Sequence, residues 1–172
     1  REVDASQSGK ICGPKAANLG QLKKMFPDNV VEGLVLPFSV FYQHMNQPIP
    51  GSAISYWQVM NNIFDRGENM KSKGAADADI ETFVLKKLDS LRGLIKVMPF
   101  LPAFTQELQQ QFITVFGQPI GKVPVFVRSD TNMEDLKDFT GAGLNLTVFN
   151  VVDSSKILQG IRDVWASPYT ER

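Results

Sequence analysis

Two cations in this chain stand where a phosphate could be held. Lys15 lies in the run Cys12-Gly13-Pro14-Lys15-Ala16-Ala17-Asn18-Leu19-Gly20. Gly13-Pro14 marks a turn, and proline suits the first position of a helix. Leu19, Leu22 and Met25/Phe26 then recur at helical spacing until Pro27 and Asp28 stop the pattern. Lys15 therefore falls in the first turn of a helix, an end that already carries partial positive charge. An anion between the lysine and the amides of that turn would resolve the conflict. A solvated surface lysine explains the residue equally well.

The second cation is Arg128, in the stretch VPVFVRSDTNMEDLKDFTGAGLNLTVFNV that runs from Val123 to Val151. Val125 to Val127 is β-branched and aromatic and reads as a short buried strand. Arg128 and Ser129 come at its end. Ser129 to Gly143 is polar, acidic and glycine-bearing, a loop, and Leu144 to Val151 is a second strand. Arginine at a strand end beside such a loop offers several donors in a fixed fork, which suits a phosphate. The competing reading pairs Arg128 with Asp130, Glu134 or Asp135 to hold the loop, and the residues alone favour that plainer reading.

His44 is the single histidine, on a helix face with no metal set or nucleophile partner in its vicinity, so it reads as structural. The lone Cys12 excludes an intrachain disulfide and suits a reducing compartment, hence an expected cytoplasmic location. Eighteen basic and 18 acidic side chains cancel, and the basic ones are scattered, which argues against nucleic acid as a partner. No apolar run is long enough to span a bilayer, so no membrane is expected. A 43% hydrophobic fraction suits a core of ordinary size. With Arg1 at one end and Tyr169-Thr170-Glu171-Arg172 at the other, the chain reads as a fragment of something longer.

The elements that must position these cations are mostly helical. Arg1 to Lys10 is polar and expected to fray. Val30-Val31 and Leu34-Val35-Leu36 read as short strands split by Glu32-Gly33, and Pro37-Phe38 opens a helix bearing Phe38, Phe41, Tyr42 and Met45. Ile54 to Asp65 is a helix and Arg66 to Ala76 an exposed loop. Asp77 or Asp79 caps the next helix, Phe104 to Phe116 forms another that ends at Gly117, and Asp153/Ser154 caps the last. Ile157/Leu158, Ile161 and Val164/Trp165 form its buried face, with Trp165 as an anchor rather than a ligand platform. Residues 52–117 read as a helical insertion between the Lys15 region and the Arg128 strand.

Three separated motifs then resemble one family. Gly13-Pro14-Lys15-Ala16-Ala17-Asn18-Leu19-Gly20 is similar to the GGKxANLG-type segment that opens the nucleotide-binding domain of phosphoenolpyruvate synthase and pyruvate phosphate dikinase. Val35 to Tyr42 resembles the VPxGFxxxxxAY segment that follows. Val127-Arg128-Ser129 with Glu134-Asp135-Leu136, Gly143, Thr147, Asn150-Val151 and Trp165-Ala166-Ser167 through Thr170-Glu171-Arg172 resembles the next block. Residues 46–120 match little.

The resemblance implies an α/β (α+β) fold, the N-terminal lobe of an ATP-grasp domain with the helical insertion. It implies that Lys15 and Arg128 contact nucleotide phosphates, with Gly143 and Thr147 beside them, and that the ligands are ATP with Mg2+ whose carboxylates lie outside this chain. It implies a dikinase: ATP phosphorylates a carrier histidine, AMP leaves, and the phosphoryl group passes to pyruvate to make phosphoenolpyruvate. The chain on its own is expected to be inactive. Ala142-Gly143-Leu144-Asn145 replaces the usual Ala-Gly-Gln-Gln, and Asp138 to Leu144 with Trp165-Ala166-Ser167-Pro168 leans toward the glucan water dikinases. That leaves an α-glucan as the alternative acceptor, and a non-catalytic nucleotide-binding module as a further alternative.

Overall fold

The computed structural model describes residues 2–132 and 146–170. Within them run α1 (Pro14–Met25), α2 (Phe38–Asn46), α3 (Tyr56–Ser72), α4 (Asp77–Lys96), α5 (Pro102–Phe116), β1 (Val125–Arg128), β2 (Thr147–Val151) and α6 (Ser154–Ala166). Short 3-10 turns cover Ala5–Gln7 and Ser167–Tyr169. The class is mixed helix and strand, with the strands confined to one antiparallel pair.

Local chemistry explains most boundaries. Ser55 and Gln58 make a reciprocal capping box at α3, with N–H···O bonds of 3.1 and 2.7 Å. Pro102 occupies the first turn of α5, and Gly117 closes that helix in the left-handed conformation at φ 67°. The Asp153 carboxylate caps α6, accepting from the Ser155 and Lys156 amides at 2.8 and 3.1 Å.

Several expectations are corrected. Residues 31–37 form no strand. The apolar residues Leu34 and Leu36 do turn inward, but the segment is held by a side chain instead of a ladder. The Lys23 ammonium donates to the Pro27 and Val30 carbonyls at 2.8 and 2.6 Å and pairs with Glu32 at 2.8 Å. The amino-terminal residues do not trail off: Asp4 and Gln7 form a capping box and Asp4 pairs with Lys24 at 2.6 Å. α3 runs past Asp65 to Ser72, through Gly67, where a Cβ would stand 3.2 Å from Val84 Cγ2 of α4. Gly67 thus serves close helix packing, not a loop. Neither Asp77 nor Asp79 caps α4; both lie inside its first turn, where their charge complements the helix dipole.

Among the described residues the core has two clusters. One gathers Met45, Tyr56, Ile63, Leu91, Ile95, Met98 and Ala166 from α2, α3, α4 and their neighbours. The other gathers Leu108, Phe112, Val151, Ile157 and Ile161 from α5, β2 and α6. Trp165 packs against both, so α6 is the element that joins the helical layer to the sheet. Gly160 lets the sheet approach: a Cβ there would touch Val127 at 3.4 Å and Val148 at 3.6 Å.

β1 reads in sequence as a buried strand, but only one of its faces is covered. Val125 pairs with Val151, Val127 with Val148 and Arg128 with Thr147, across a bulge between Val125 and Val127. The valines face α6. Phe126 and Phe149 point the other way, 63% and 73% exposed, with their rings edge to face at 5.8 Å.

Candidate functional site

The register of the hairpin brings two of the anticipated residues together. Arg128 ends β1 and Thr147 begins β2, and they are direct partners across the ladder. Such partners lie about 5 Å apart at Cα and share one face of the sheet. Val127 and Val148 occupy the face against Gly160 of α6, so alternation puts Arg128 and Thr147 on the open face. Arg128 is exposed and Thr147 half-buried. No described carboxylate pairs with Arg128. Glu134, Asp135 and Gly143 lie outside the described residues.

Lys15 arrives from the other end of the chain. It is the second residue of α1, half-buried, with Gly13 as the N-cap and Pro14 at the first position. Gly13 contributes no side chain to cap the helix, and an acceptor comes instead from the segment after β1. The Asp130 carboxylate takes the Gly13 N–H at 2.7 Å and the Ala16 N–H at 3.1 Å. A carboxylate at a helix N-terminus is stabilised by the amides and the dipole together.

A carboxylate of the chain itself, Asp130, therefore stands at this helix start and takes two amides of the turn, those of Gly13 and Ala16. That corrects one expectation: Asp130 serves α1 rather than Arg128. Its one sequence signal was the helix start itself, since Gly13-Pro14 offers no capping side chain and an outside acceptor is required. The approach is close: a Cβ on Gly13 would fall 2.6 Å from Asp130 Oδ1 and 2.7 Å from the Thr131 carbonyl.

The neighbouring residues are fixed. Ser129 is buried, and its amide donates to the Leu146 carbonyl at 2.9 Å, extending the ladder one step beyond Arg128 and Thr147. Cys12 is buried beside the same turn. Burial, and secondarily the Asp130 charge, pushes its thiol pKa up, away from the reactive thiolate. The Phe38 amide donates to the Ile11 carbonyl at 2.9 Å, tying the approach to α1 onto α2.

His44 takes no part in this region. It is fully buried, with Nδ1 2.7 Å from the Val40 carbonyl and Nε2 accepting the Leu101 amide at 3.2 Å. The partners fix the tautomer, because a carbonyl only accepts and an amide only donates: Nδ1 carries the proton and the ring is neutral. Burial lowers its pKa from the ordinary 6.5, against the opposing bond to Val40. Phe100, Phe104 and Trp165 surround the ring. Among the described residues there is no group of three His, Cys, Asp or Glu side chains that could hold a metal ion.

Residues 9–172 match the family of the pyruvate phosphate dikinase AMP/ATP-binding domain. The chain belongs to that family. The match spans the Lys15 turn, the Arg128–Thr147 ladder and the helices between them. Among curated relatives, a phosphoenolpyruvate synthase from Aquifex aeolicus is 26% identical over 164 residues, 94% of this chain and 18% of that protein. A phosphoenolpyruvate synthase from Pyrococcus furiosus is 28% identical over 99 residues, 56% of this chain and 12% of that protein. The chain thus spans less than a fifth of the length of these relatives. No solved structure gives a significant match. As a dikinase AMP/ATP-binding domain, the chain falls in a phosphotransferase family that handles adenine nucleotides. No described helix is long and apolar enough to cross a membrane.

Proposed function

We propose that this chain is the phosphate-gripping part of an ATP-grasp nucleotide site, in which Lys15, Arg128 and Thr147, with Gly143, meet the phosphates of ATP. The observation that carries the reading is the convergence of the Arg128–Thr147 ladder pair with the Lys15 turn, which Asp130 docks onto the end of the same strand. A cation and a hydroxyl on one open face, with the Lys15 turn fastened to the end of the same strand, suit an oligophosphate. Phosphoryl transfer asks the protein chiefly for positioning and charge neutralisation. In this reading residues 52–117 are an insertion that braces the lobe without touching the ligand. Mg2+ would be held by groups outside the described residues.

In the whole enzyme ATP donates to a carrier histidine, AMP leaves, and a phosphoryl group passes to pyruvate in the cytoplasm. His44 is not that carrier, because both its ring nitrogens are engaged and the ring is sealed from solvent. The carrier belongs to another part of the protein. Pyruvate is preferred to an α-glucan as acceptor because both relatives above are phosphoenolpyruvate synthases.

The test is AMP formation by the full-length protein with ATP and Mg2+, with pyruvate or an α-glucan supplied separately. AMP is expected with pyruvate alone. A hydrogen bond to a charged group contributes about 1.5–3 kcal/mol. Lys15→Ala and Arg128→Ala should therefore each weaken ATP binding roughly 10- to 100-fold while the protein remains folded. Wild-type affinity in either folded variant removes that residue from the site.

A further inference from the structure

We propose that Asp130 is the positioning residue of the phosphate site, fastening the Lys15 turn to the strand end that bears Arg128; this rests on the nucleotide reading above. Lys15 and Arg128 are more than a hundred residues apart in sequence and belong to different elements. Some physical link must hold them in one frame, since a cation displaced by about an ångström loses much of its value to a bound transition state.

Asp130 is such a link. One carboxylate oxygen accepts the Gly13 amide at 2.7 Å and the other the Ala16 amide at 3.1 Å, so Lys15 lies between the two clamped positions. Arg128 is two residues upstream of Asp130, about 7 Å of extended chain. The backbone between them is itself anchored, because buried Ser129 donates to Leu146, the residue before Thr147. The path from Lys15 to Thr147 is thus a series of hydrogen bonds through Asp130 and Ser129. Gly13 keeps the clamp short by leaving no Cβ between α1 and the Asp130–Thr131 backbone. Asp130 holds the Gly13 and Ala16 amides and so orients the Lys15 turn against the Arg128 strand end without itself touching the ligand.

A double-mutant cycle in the full-length protein tests this, with the dissociation constants of ATP and of inorganic tripolyphosphate as readouts. Asp130→Ala should weaken both about tenfold or more, and Asp130→Asn, which keeps one acceptor oxygen, should recover part of the loss. In a Lys15→Ala background the same Asp130→Ala change should cost less than about twofold, because the residue it positions is gone. Gly13→Ala should mimic Asp130→Ala by prising the clamp open. If Asp130→Ala unfolds the protein, Asp130→Asn is read through the same cycle. Equal losses in both backgrounds would assign Asp130 a general structural role and overturn the proposal. Tighter tripolyphosphate binding in Asp130→Ala would also overturn it, making the carboxylate a competitor for the phosphate. If wild-type protein binds neither probe, or Lys15→Ala binds both normally, the nucleotide reading itself fails and this inference falls with it.

Discussion

At the scale of single residues, the same chemistry serves opposite ends. Lys15 and Arg128 are the cations of the proposed phosphate site, whereas His44, the residue most often suspected of catalysis, is absorbed into the core. Its neutral state has a pH consequence. The folded pKa is depressed below 6.5, so the unfolded chain takes up the proton first as pH falls. The stability held by neutral His44 is complete above about 6.5 and declines as pH drops toward the folded value, by at most about 1.4 kcal/mol per pH unit. Urea unfolding at pH 7.5 and pH 5.5 should show this decline. His44→Gln should flatten it while lowering stability at both values. An unchanged slope in the variant would assign the pH dependence to other groups.

The elements show where local rules suffice and where packing replaces them. α3 starts at a capping box that any reading of Ser55 and Gln58 could have found, and Ser55→Ala should cost about 1 kcal/mol in denaturant unfolding. Its end is different. Gly67 resembles a loop residue in sequence, yet it lies in the helix where α4 comes close, with a Cβ there 3.2 Å from the Val84 Cγ2. Gly160 in α6 is the corresponding device for the sheet. Gly160→Leu should force α6 off Val127 and Val148 and destabilise the chain by about 1–3 kcal/mol or more. Gly93, with nothing within 4 Å of a Cβ, should accept alanine with a small gain in stability. Comparing the two unfolding midpoints separates a packing requirement from simple helix propensity; equal and opposite behaviour is not expected if propensity alone operates.

On the scale of the whole molecule, α6 and Trp165 make one body of two core clusters. Trp165 touches Phe41, His44, Phe100 and Phe104 and borders both clusters. Trp165→Ala should cost about 3 kcal/mol and should do more than loosen one region. Unfolding of the native chain followed by helix circular dichroism and by Trp57 and Trp165 fluorescence should superimpose. In the Trp165→Ala variant, circular dichroism and Trp57 fluorescence should separate as the helical layer and the sheet layer lose their common anchor. Coincident curves in the variant would mean that the remaining α4–α6 packing is sufficient for coupling.

Sequence alone determined the helices whose apolar residues recur at 3.6-residue spacing, the proline and glycine boundaries of α1 and α5, the Asp153 cap, the two strands around Arg128, and the family. Those signals are local: a cap, a breaker or a periodic face is complete within a few residues. It overstated strands at 30–36, because β-propensity says nothing about whether a partner strand exists, and there Lys23 takes the carbonyls instead. The reach of α3 and the open face of the hairpin were likewise invisible. Only the tertiary structure decided that Arg128 pairs with Thr147 and that Asp130 caps α1 across more than a hundred residues of chain. A hydrogen bond of that span leaves no periodicity and no spacing in the sequence. Its requirement can be read from an uncapped helix start, but its donor and acceptor meet only when the chain has packed.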